Sequence, residues 1–162
     1  TTFEPETELT RAELVTLIYR LVNEPSVEGL TEPFTDVAAD AWYVEPITFA
    51  YNMGIVNGVS ETKFEPDERI TREQVVTILY RLAKAAELDV SVGENTNILS
   101  YPDATKVSDY AVEAIQWAVG AGILNGTTFE GDSNVYLDPQ GHATRAQAAK
   151  LFVTFLIFAA ES

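Results

Sequence analysis

One phrase of five parts occurs three times in this chain, and it constrains the fold more than any other feature. In each copy an apolar residue, an acidic residue and a proline are followed, six positions after the proline, by an arginine that directly follows a threonine. The copies are Phe3-Glu4-Pro5 with Thr10-Arg11, Phe64-Glu65-Pro66 with Thr71-Arg72, and Leu137-Asp138-Pro139 with Thr144-Arg145. Successive copies lie 61 and 73 residues apart. Such regular duplication marks repeat units that bury their apolar faces against one another.

Each threonine of the phrase predicts the start of a helix. Thr10, Thr71 and Thr144 can cap the free N–H groups of a first turn, and the Glu or Gln three positions later can bond back to the threonine N–H. Apolar residues then recur at i, i+3, i+4 and i+7. We therefore predict an all-α fold in which three long helices share a core, most simply as a three-helix bundle.

A second half-unit precedes the second and third copies of the phrase. Its landmarks in the two copies are Asp36 and Asp103, Trp42 and Tyr110, and Gly58 and Gly126. Between the aromatic residue and the closing glycine, apolar residues at i, i+3 and i+7 end at a further glycine. This pattern predicts a short amphipathic helix with a glycine stop.

The first copy of the phrase has no such half-unit before it. We therefore interpret the chain as two and a half units cut from a longer polypeptide. Residues 1–27 would be the second half of repeat one, residues 28–88 repeat two and residues 89–162 repeat three, all sharing one core. Residues 85–100 and 127–136 break the regularity, and we expect both to be exposed loops.

The missing half-unit has a predicted consequence. We expect it to be the partner of the first long helix, so that the apolar surface of that helix is left uncovered. A chain with such a surface should form a homodimer, exchange a helix or aggregate.

Composition narrows the classes of function. Hydrophobic residues make up 46% of the chain, which is too many for a disordered tail, yet no run approaches the roughly 20 apolar residues of a membrane span. Twenty-five acidic and ten basic residues give a net charge of −15, which disfavours nucleic acid and anionic membranes as partners. Cysteine is absent, which excludes thiolate metal sites. An anionic ligand would need a few local cations.

The three arginines of the phrase are the main candidates for a binding site. Each lies at the positive end of a helix dipole, where a cation is disfavoured by roughly 0.3–1 kcal/mol. Arg11, Arg72 and Arg145 could, together with free helix N–H groups, bind a carboxylate or phosphate. Alternatively, each could pair with an acidic neighbour such as Asp36 or Asp103 and join adjacent units. The residues alone leave both interpretations open.

The other landmarks also allow two interpretations. Trp42 and Tyr110 could stack on a sugar ring, although the size of tryptophan favours a place in the unit's own core. Gly58 and Gly126 fit a turn that requires positive φ, and a glycine also lets a ligand approach the backbone.

No arrangement of residues points to catalysis. His142 is the one histidine, and no second imidazole or cysteine could complete a triad or a transition-metal site with it. Asp132, Asn134 and Asp138 match no complete calcium loop. We therefore expect no enzyme activity, no cofactor and no metal.

Repeat two contains Phe-Thr-Asp-Val, Trp42, Gly-Ile-Val-Asn-Gly and Phe-x-Pro in this order, and repeat one contains Thr-Arg-Ala-Glu at the place that follows Phe-x-Pro. Together these motifs resemble the S-layer homology repeat over nearly the whole chain. The resemblance implies a pseudo-threefold, all-α spindle around a central three-helix bundle. It also implies a module that holds bacterial surface proteins noncovalently to the cell wall by binding a secondary wall polysaccharide, commonly pyruvylated, in grooves between the prongs. In the family the arginine of Thr-Arg-Ala-Glu binds the acidic group of the ligand, which points to Arg11, Arg72 and Arg145.

The chain departs from the family pattern in three places. Tyr110 stands where the family usually has tryptophan, Glu73 stands where it usually has alanine, and the front half of the first repeat is missing. At least one groove should therefore be unformed. Repeat two is the one unit with repeat sequence on both sides, so we expect Arg72 to be the most important ligand contact.

These observations lead to one expected function and one alternative. The expected function is extracellular anchoring at the bacterial cell surface through an anionic wall polysaccharide or a peptidoglycan-linked glycan. The alternative is self-association of a surface layer, with the arginines acting as struts between domains. The expected ligand-binding set is Arg11, Arg72, Arg145, Trp42, Tyr110, Asp36, Asp103, Gly58 and Gly126.

Overall fold

The computed structural model describes residues 3–162 of the chain. Over that range the regular elements are α-helices and short 3₁₀ segments, joined by loops with isolated β-bridges, which confirms the predicted all-α class. The helices are α1 (Arg11–Leu21), α2 (Val44–Asn52), α3 (Arg72–Ala85), α4 (Val112–Gly120) and α5 (Arg145–Glu161). The 3₁₀ segments are Ser91–Asn95, Ala104–Lys106 and Asp109–Ala111. No helix within residues 3–162 combines the length and the apolar character that a membrane crossing needs.

The three long helices begin where the sequence predicts. The hydroxyl of Thr71 accepts from the N–H of Gln74, whose side chain bonds back to the Thr71 N–H, and α5 begins with the same pair of bonds. At the start of α1 the Thr10 hydroxyl accepts from the N–H of Glu13 at 3.1 Å. Because these bonds join residues three apart, the local sequence is sufficient to specify them.

The chain divides into two compact units. The α1–α2 unit is Glu8–Ile70, and the α3–α5 unit combines Thr71–Ser162 with the described N-terminal residues up to Thr7.

In the α1–α2 unit the long helix packs against the short helix that follows it. The rings of Tyr19 and Phe49 lie 5.5 Å apart, and Ile18 and Ile47 are fully buried. The prediction that α1 lacks its short-helix partner is therefore wrong, because α2 provides it. Leu17 and Leu21 of α1 are nevertheless exposed, although their periodicity placed them in the core.

In the α3–α5 unit, α3 packs against both α4 and α5, and Trp117 of α4 forms the centre of the core. Its ring lies 5.5 Å from that of Tyr80 and 6.4 Å from that of Phe155. The segment Ser91–Asn95 packs on α4, with Gly93 against the Trp117 backbone, so residues 85–100 are not simply the exposed loop that was expected. The packing of α3 on α5 is observed, whereas the three-helix bundle and the spindle stay predictions.

Candidate functional site

The first N–H groups of the three long helices are all bonded to the loop that carries the Pro residue of the phrase. In each case the arginine N–H donates to the carbonyl two positions after the proline, and the next N–H donates to the carbonyl of the proline itself. The pairs are Arg11 to Glu68 and Ala12 to Pro66, Arg72 to Gly141 and Glu73 to Pro139, and Arg145 to Thr7 and Ala146 to Pro5, at 2.8–3.1 Å. The third N–H of each helix is bonded to the capping threonine. An anion site built from free helix N–H groups is therefore excluded at these three positions.

Arg72 and Asp103 hold the third copy of the tripeptide in the α3–α5 unit. The Nε of Arg72 donates to the carbonyl of Leu137 at 3.3 Å, and the carboxylate of Asp103 accepts from the N–H groups of Leu137 and Asp138 at 2.9 and 2.8 Å. Arg72 is only 5% exposed, and Asp103 and Leu137 are also buried. Asp138 has a φ of 47°, so this turn needs external bonds to hold an unfavourable backbone conformation.

The α1–α2 unit repeats this arrangement around Phe64. The Nε of Arg11 donates to the Phe64 carbonyl at 2.8 Å, and its guanidinium lies 4.6 Å from the centre of the Phe64 ring. The carboxylate of Asp36 accepts from the N–H groups of Phe64 and Glu65 at 2.9 and 2.8 Å. Glu65 has a positive φ of 57°, and its counterpart Asp138 has a φ of 47°. Arginine and aspartate thus both bind the main chain of one tripeptide.

Burial and hydrogen bonding shift the pKa of two of these groups. Burial lowers the pKa of Arg72 from its usual value, and the nearby Asp138 and Asp103 partly oppose that change. Burial alone would raise the pKa of Asp36, but the N–H groups of Phe64 and Glu65 favour its charged form and lower the pKa overall. The hydrogen bonds of Asp36 therefore depend on its ionised state.

Arg145 differs from the other two arginines in exposure. Arg11 and Arg72 are buried, whereas Arg145 is half-buried at the start of α5. The same backbone contacts anchor all three helix starts. Arg145 is therefore the most exposed of the three arginine residues.

Trp42 and Tyr110 lie at the surface, so the interpretation that placed them in the core is wrong. Trp42 is 62% exposed and Tyr110 is 54% exposed. The ring of Trp42 contacts Tyr43 edge to face with centroids 5.1 Å apart, and the hydroxyl of Tyr110 donates to Glu73 at 3.2 Å. Two aromatic side chains are thus presented to solvent at equivalent positions of the two half-units.

Glu73 is the site residue that sequence analysis missed. Its carboxylate is buried and accepts from the N–H and the hydroxyl of Ser108 at 3.0 and 2.7 Å, from Tyr110, and from the side-chain amide of Gln140 at 2.8 Å. These donors are all neutral, so the carboxylate orders three side chains beside the buried Arg72. The sequence does show that glutamate stands here where the S-layer homology repeat usually has alanine. Its hydrogen-bond partners could not be predicted, because they lie 35 to 67 residues away.

The two closing glycines serve different needs. Gly126 has a φ of 86°, as a turn glycine should, whereas Gly58 does not have a positive φ, so that prediction is wrong for Gly58. A Cβ on Gly58 would collide with the carbonyl oxygens of Ser60 and Lys63, and one on Gly126 would collide with Val135. Both positions therefore require glycine because neighbouring atoms approach closely.

The acidic loop after Gly126 is held by its own hydrogen bonds. Asp132 accepts from the N–H of Asn134 at 2.9 Å and from the hydroxyl of Tyr136 at 2.6 Å. Within residues 3–162 no group of three or more histidine, aspartate or glutamate side chains is placed to hold a metal ion.

Comparison with known proteins adds a family match. Residues 33–76 and 100–149, which together exceed half of the chain, match the S-layer homology domain. Among the relatives, Exoglucanase XynX of Acetivibrio thermocellus is 36% identical over 96% of this chain, Amylopullulanase of Thermoanaerobacterium thermosulfurigenes is 33% identical over 96%, and the Surface-layer 125 kDa protein of Lysinibacillus sphaericus is 34% identical over 93%. The matched segment spans 14%, 8% and 12% of those proteins.

Proposed function

Because the chain belongs to the S-layer homology domain family, we propose that it is a noncatalytic module that anchors a bacterial surface protein noncovalently to the cell wall. The observation that carries this proposal is the variety of the relatives. An exoglucanase, an amylopullulanase and a surface-layer protein share the segment, which is a small part of each. A segment common to two enzymes and a surface-layer protein is best explained by a common location outside the cell rather than by a common reaction.

The ligand that we propose is an anionic secondary wall polysaccharide, with pyruvyl groups as the source of its charge. The exposed rings of Trp42 and Tyr110 would stack on sugar rings, since aromatic faces suit the apolar face of a sugar. Arg145, the most exposed of the three arginines, would bind the carboxylate of the ligand. Local cations can act in spite of the overall negative charge because charges beyond about 8 Å are largely screened at physiological salt.

The remaining residues of the predicted set would shape the site rather than contact the ligand. Main-chain groups of the two apolar-acidic-proline tripeptides form hydrogen bonds with the side chains of Arg11, Arg72, Asp36 and Asp103. These bonds support a role of the four residues in fixing the loops. Gly58 and Gly126 would allow neighbouring loop segments to approach closely. We further propose that residues 1–27, 28–88 and 89–162 form successive repeats whose long helices α1, α3 and α5 meet in a pseudo-threefold bundle.

Sedimentation with purified wall sacculi tests the anchoring function. We expect the chain to sediment with intact sacculi and to stay in solution once the secondary polysaccharide has been stripped. A variant with Trp42→Ala and Tyr110→Ala should bind weakly, whereas Phe129→Ala, which removes another exposed aromatic ring, should bind normally. Equal sedimentation with stripped and intact sacculi would overturn the polysaccharide as ligand. Self-association without any sacculus binding would favour the surface-layer alternative.

A further inference from the structure

The hydrogen-bond donors around Glu73 come from two loops of the α3–α5 unit and meet on its carboxylate. One carboxylate oxygen accepts from the hydroxyl of Ser108 at 2.7 Å, from the side-chain amide of Gln140 at 2.8 Å and from the hydroxyl of Tyr110 at 3.2 Å. The other oxygen accepts from the N–H of Ser108 at 3.0 Å. An ionised carboxylate offers about four acceptor positions. This set of donors therefore matches the requirements of a carboxylate.

The start of α1 lacks both this carboxylate and its donors. Ala12 stands where Glu73 stands in α3, directly after the arginine that follows the capping threonine. At the places of Ser108, Tyr110 and Gln140, relative to the aromatic landmark and the proline, the α1–α2 unit has Asp40, Trp42 and Asp67. Ionised aspartates accept hydrogen bonds and do not donate them. The glutamate and the donors that bind it thus occur together in one unit and are replaced together in the other.

The main chain around this site is fixed by its own hydrogen bonds. The N–H of Glu73 donates to the carbonyl of Pro139 at 3.1 Å, and the carbonyl of Glu73 accepts from the hydroxyl of Thr77 at 2.7 Å. The side-chain amide of Gln140 also donates to the carbonyl of Lys106 at 3.3 Å. Because these bonds do not involve the Glu73 carboxylate, we expect the site to keep its shape when that side chain is shortened.

The site lies directly beneath the surface. Glu73 is only 2% exposed, whereas Tyr110 and Gln140, which cover its carboxylate, are both exposed. A small anion therefore has to displace only these two side chains to reach the same position. Glu73→Ala removes the carboxymethyl group beyond Cβ, and acetate has the size and charge of that group.

We propose that Ser108, Tyr110 and Gln140 form a carboxylate-binding site that is filled by Glu73 of the same chain. Glu73 then determines specificity, because it closes the start of α3 to the acidic group of a ligand and leaves the exposed ring of Tyr110 in place for an uncharged sugar. The start of α5 has alanine at the corresponding position. The consequence for ligand choice rests on the proposed function, whereas the carboxylate site itself does not.

Rescue by acetate tests the site without any component of the cell wall. Glu73→Ala is melted in sodium acetate and in sodium chloride at equal concentration and at neutral pH, where acetate is ionised. We expect acetate to raise the melting temperature by about 3–6 °C over chloride once its concentration is about ten times its dissociation constant. If Glu73→Ala is unfolded in chloride, recovery of the helical circular dichroism signal in acetate is the expected result instead.

Matched variants separate this rescue from a general effect of the salt. Glu73→Gln fills the space that acetate would need, and Glu113→Ala removes an exposed glutamate from α4. Both variants and the original chain should show the same small difference between the two salts. Ser108→Ala, added to Glu73→Ala, removes the hydroxyl donor and should reduce the rescue. An equal effect of acetate on Glu73→Ala and Glu113→Ala, or a Glu73→Ala variant unfolded in both salts, would overturn the proposal.

Calorimetry with wall polysaccharide tests the consequence for specificity. The pyruvylated polysaccharide is titrated into the original chain and into Glu73→Ala, both in chloride. We expect Glu73→Ala to bind roughly tenfold more tightly, and we expect acetate to remove this gain by competition. Unchanged affinity would overturn the role of Glu73 in specificity. Absence of binding to either protein would reject the anchoring function, while the melts in acetate still decide whether the carboxylate site exists.

Discussion

Arg72 and Asp103 bind the two ends of one residue, Leu137: the arginine Nε donates to its carbonyl at 3.3 Å, and the aspartate accepts from its N–H at 2.9 Å. The other unit has the same relationship among Arg11, Asp36 and Phe64. Residues that appear to form an anion site in the sequence are thus used to fix a turn with an unfavourable backbone angle. Substitutions at these positions separate that structural role from ligand binding.

Replacing Asp103 with alanine should be strongly destabilising. The change leaves the N–H groups of Leu137 and Asp138 without their acceptor, and each buried donor left unsatisfied costs about 1–3 kcal/mol. Urea unfolding followed by circular dichroism measures the loss. Asp109→Ala is the control, because Asp109 lies six positions after Asp103 and its side chain is exposed. Similar free energies of unfolding for the two variants would contradict the role of Asp103.

Arg72 and Arg145 should respond differently to replacement by alanine. Arg72→Ala removes a buried guanidinium and should lower the melting temperature, while the folded protein keeps its affinity for wall polysaccharide. Arg145→Ala should weaken that affinity by roughly ten- to a hundredfold, the effect of losing a charge-assisted contact. A thermal melt and a calorimetric titration of each variant provide the comparison. Loss of affinity in folded Arg72→Ala, at unchanged stability, would restore Arg72 as the ligand contact.

Asp36 should make the stability of the chain depend on pH in the acidic range. Its pKa is lowered from the usual 3.8 in the folded protein, so the unfolded chain binds its proton more readily. Its contribution is therefore complete well above pH 3.8 and is lost as the pH falls through the folded-state pKa. We expect the fall in the free energy of unfolding between about pH 5 and pH 3 to be smaller in Asp36→Asn than in the original chain, as urea titrations would measure. Equal falls in the two proteins would exclude this role.

Glu73 should order the surface beside Arg72. Glu73→Gln removes the charge and places an amide among donors that need an acceptor, so we expect a lower melting temperature and a more mobile Tyr110 ring. Ring flipping and line widths of Tyr110 in NMR spectra measure the mobility. Glu113→Gln, which changes an exposed glutamate in α4, is the matched control. A Tyr110 ring equally ordered in both variants would contradict the account.

Local sequence predicts the helix starts, whereas the partners of the arginines depend on distant residues. Thr71 and Gln74 specify their capping box because they lie three residues apart. The hydrogen bond from Arg72 to Leu137 joins residues that are 65 positions apart. The sequence around the arginine gives no indication of that partner. The exposure of Trp42 is equally nonlocal, because it depends on which residues pack around the half-unit.

The pairing of the helices likewise combines a feature that local sequence predicts with one that depends on distant residues. Apolar periodicity correctly predicts that α1 has a buried face, and Leu14 and Ile18 are fully buried. Periodicity does not say which short helix covers that face, and the assumption that it would be the one before α1 was wrong. Tyr19 and Phe49 show the actual pairing, which joins the long helix to the next half-unit along the chain.

We propose that the chain binds an acidic wall polysaccharide, and a calorimetric titration tests this binding most directly. Purified secondary polysaccharide is titrated into the chain before and after chemical removal of its pyruvyl groups. We predict saturable binding to the pyruvylated form, and we predict that removal of the pyruvyl groups or Arg145→Ala weakens it by roughly tenfold or more. Equal affinity for both forms of the polysaccharide, or no binding to either, would contradict the account.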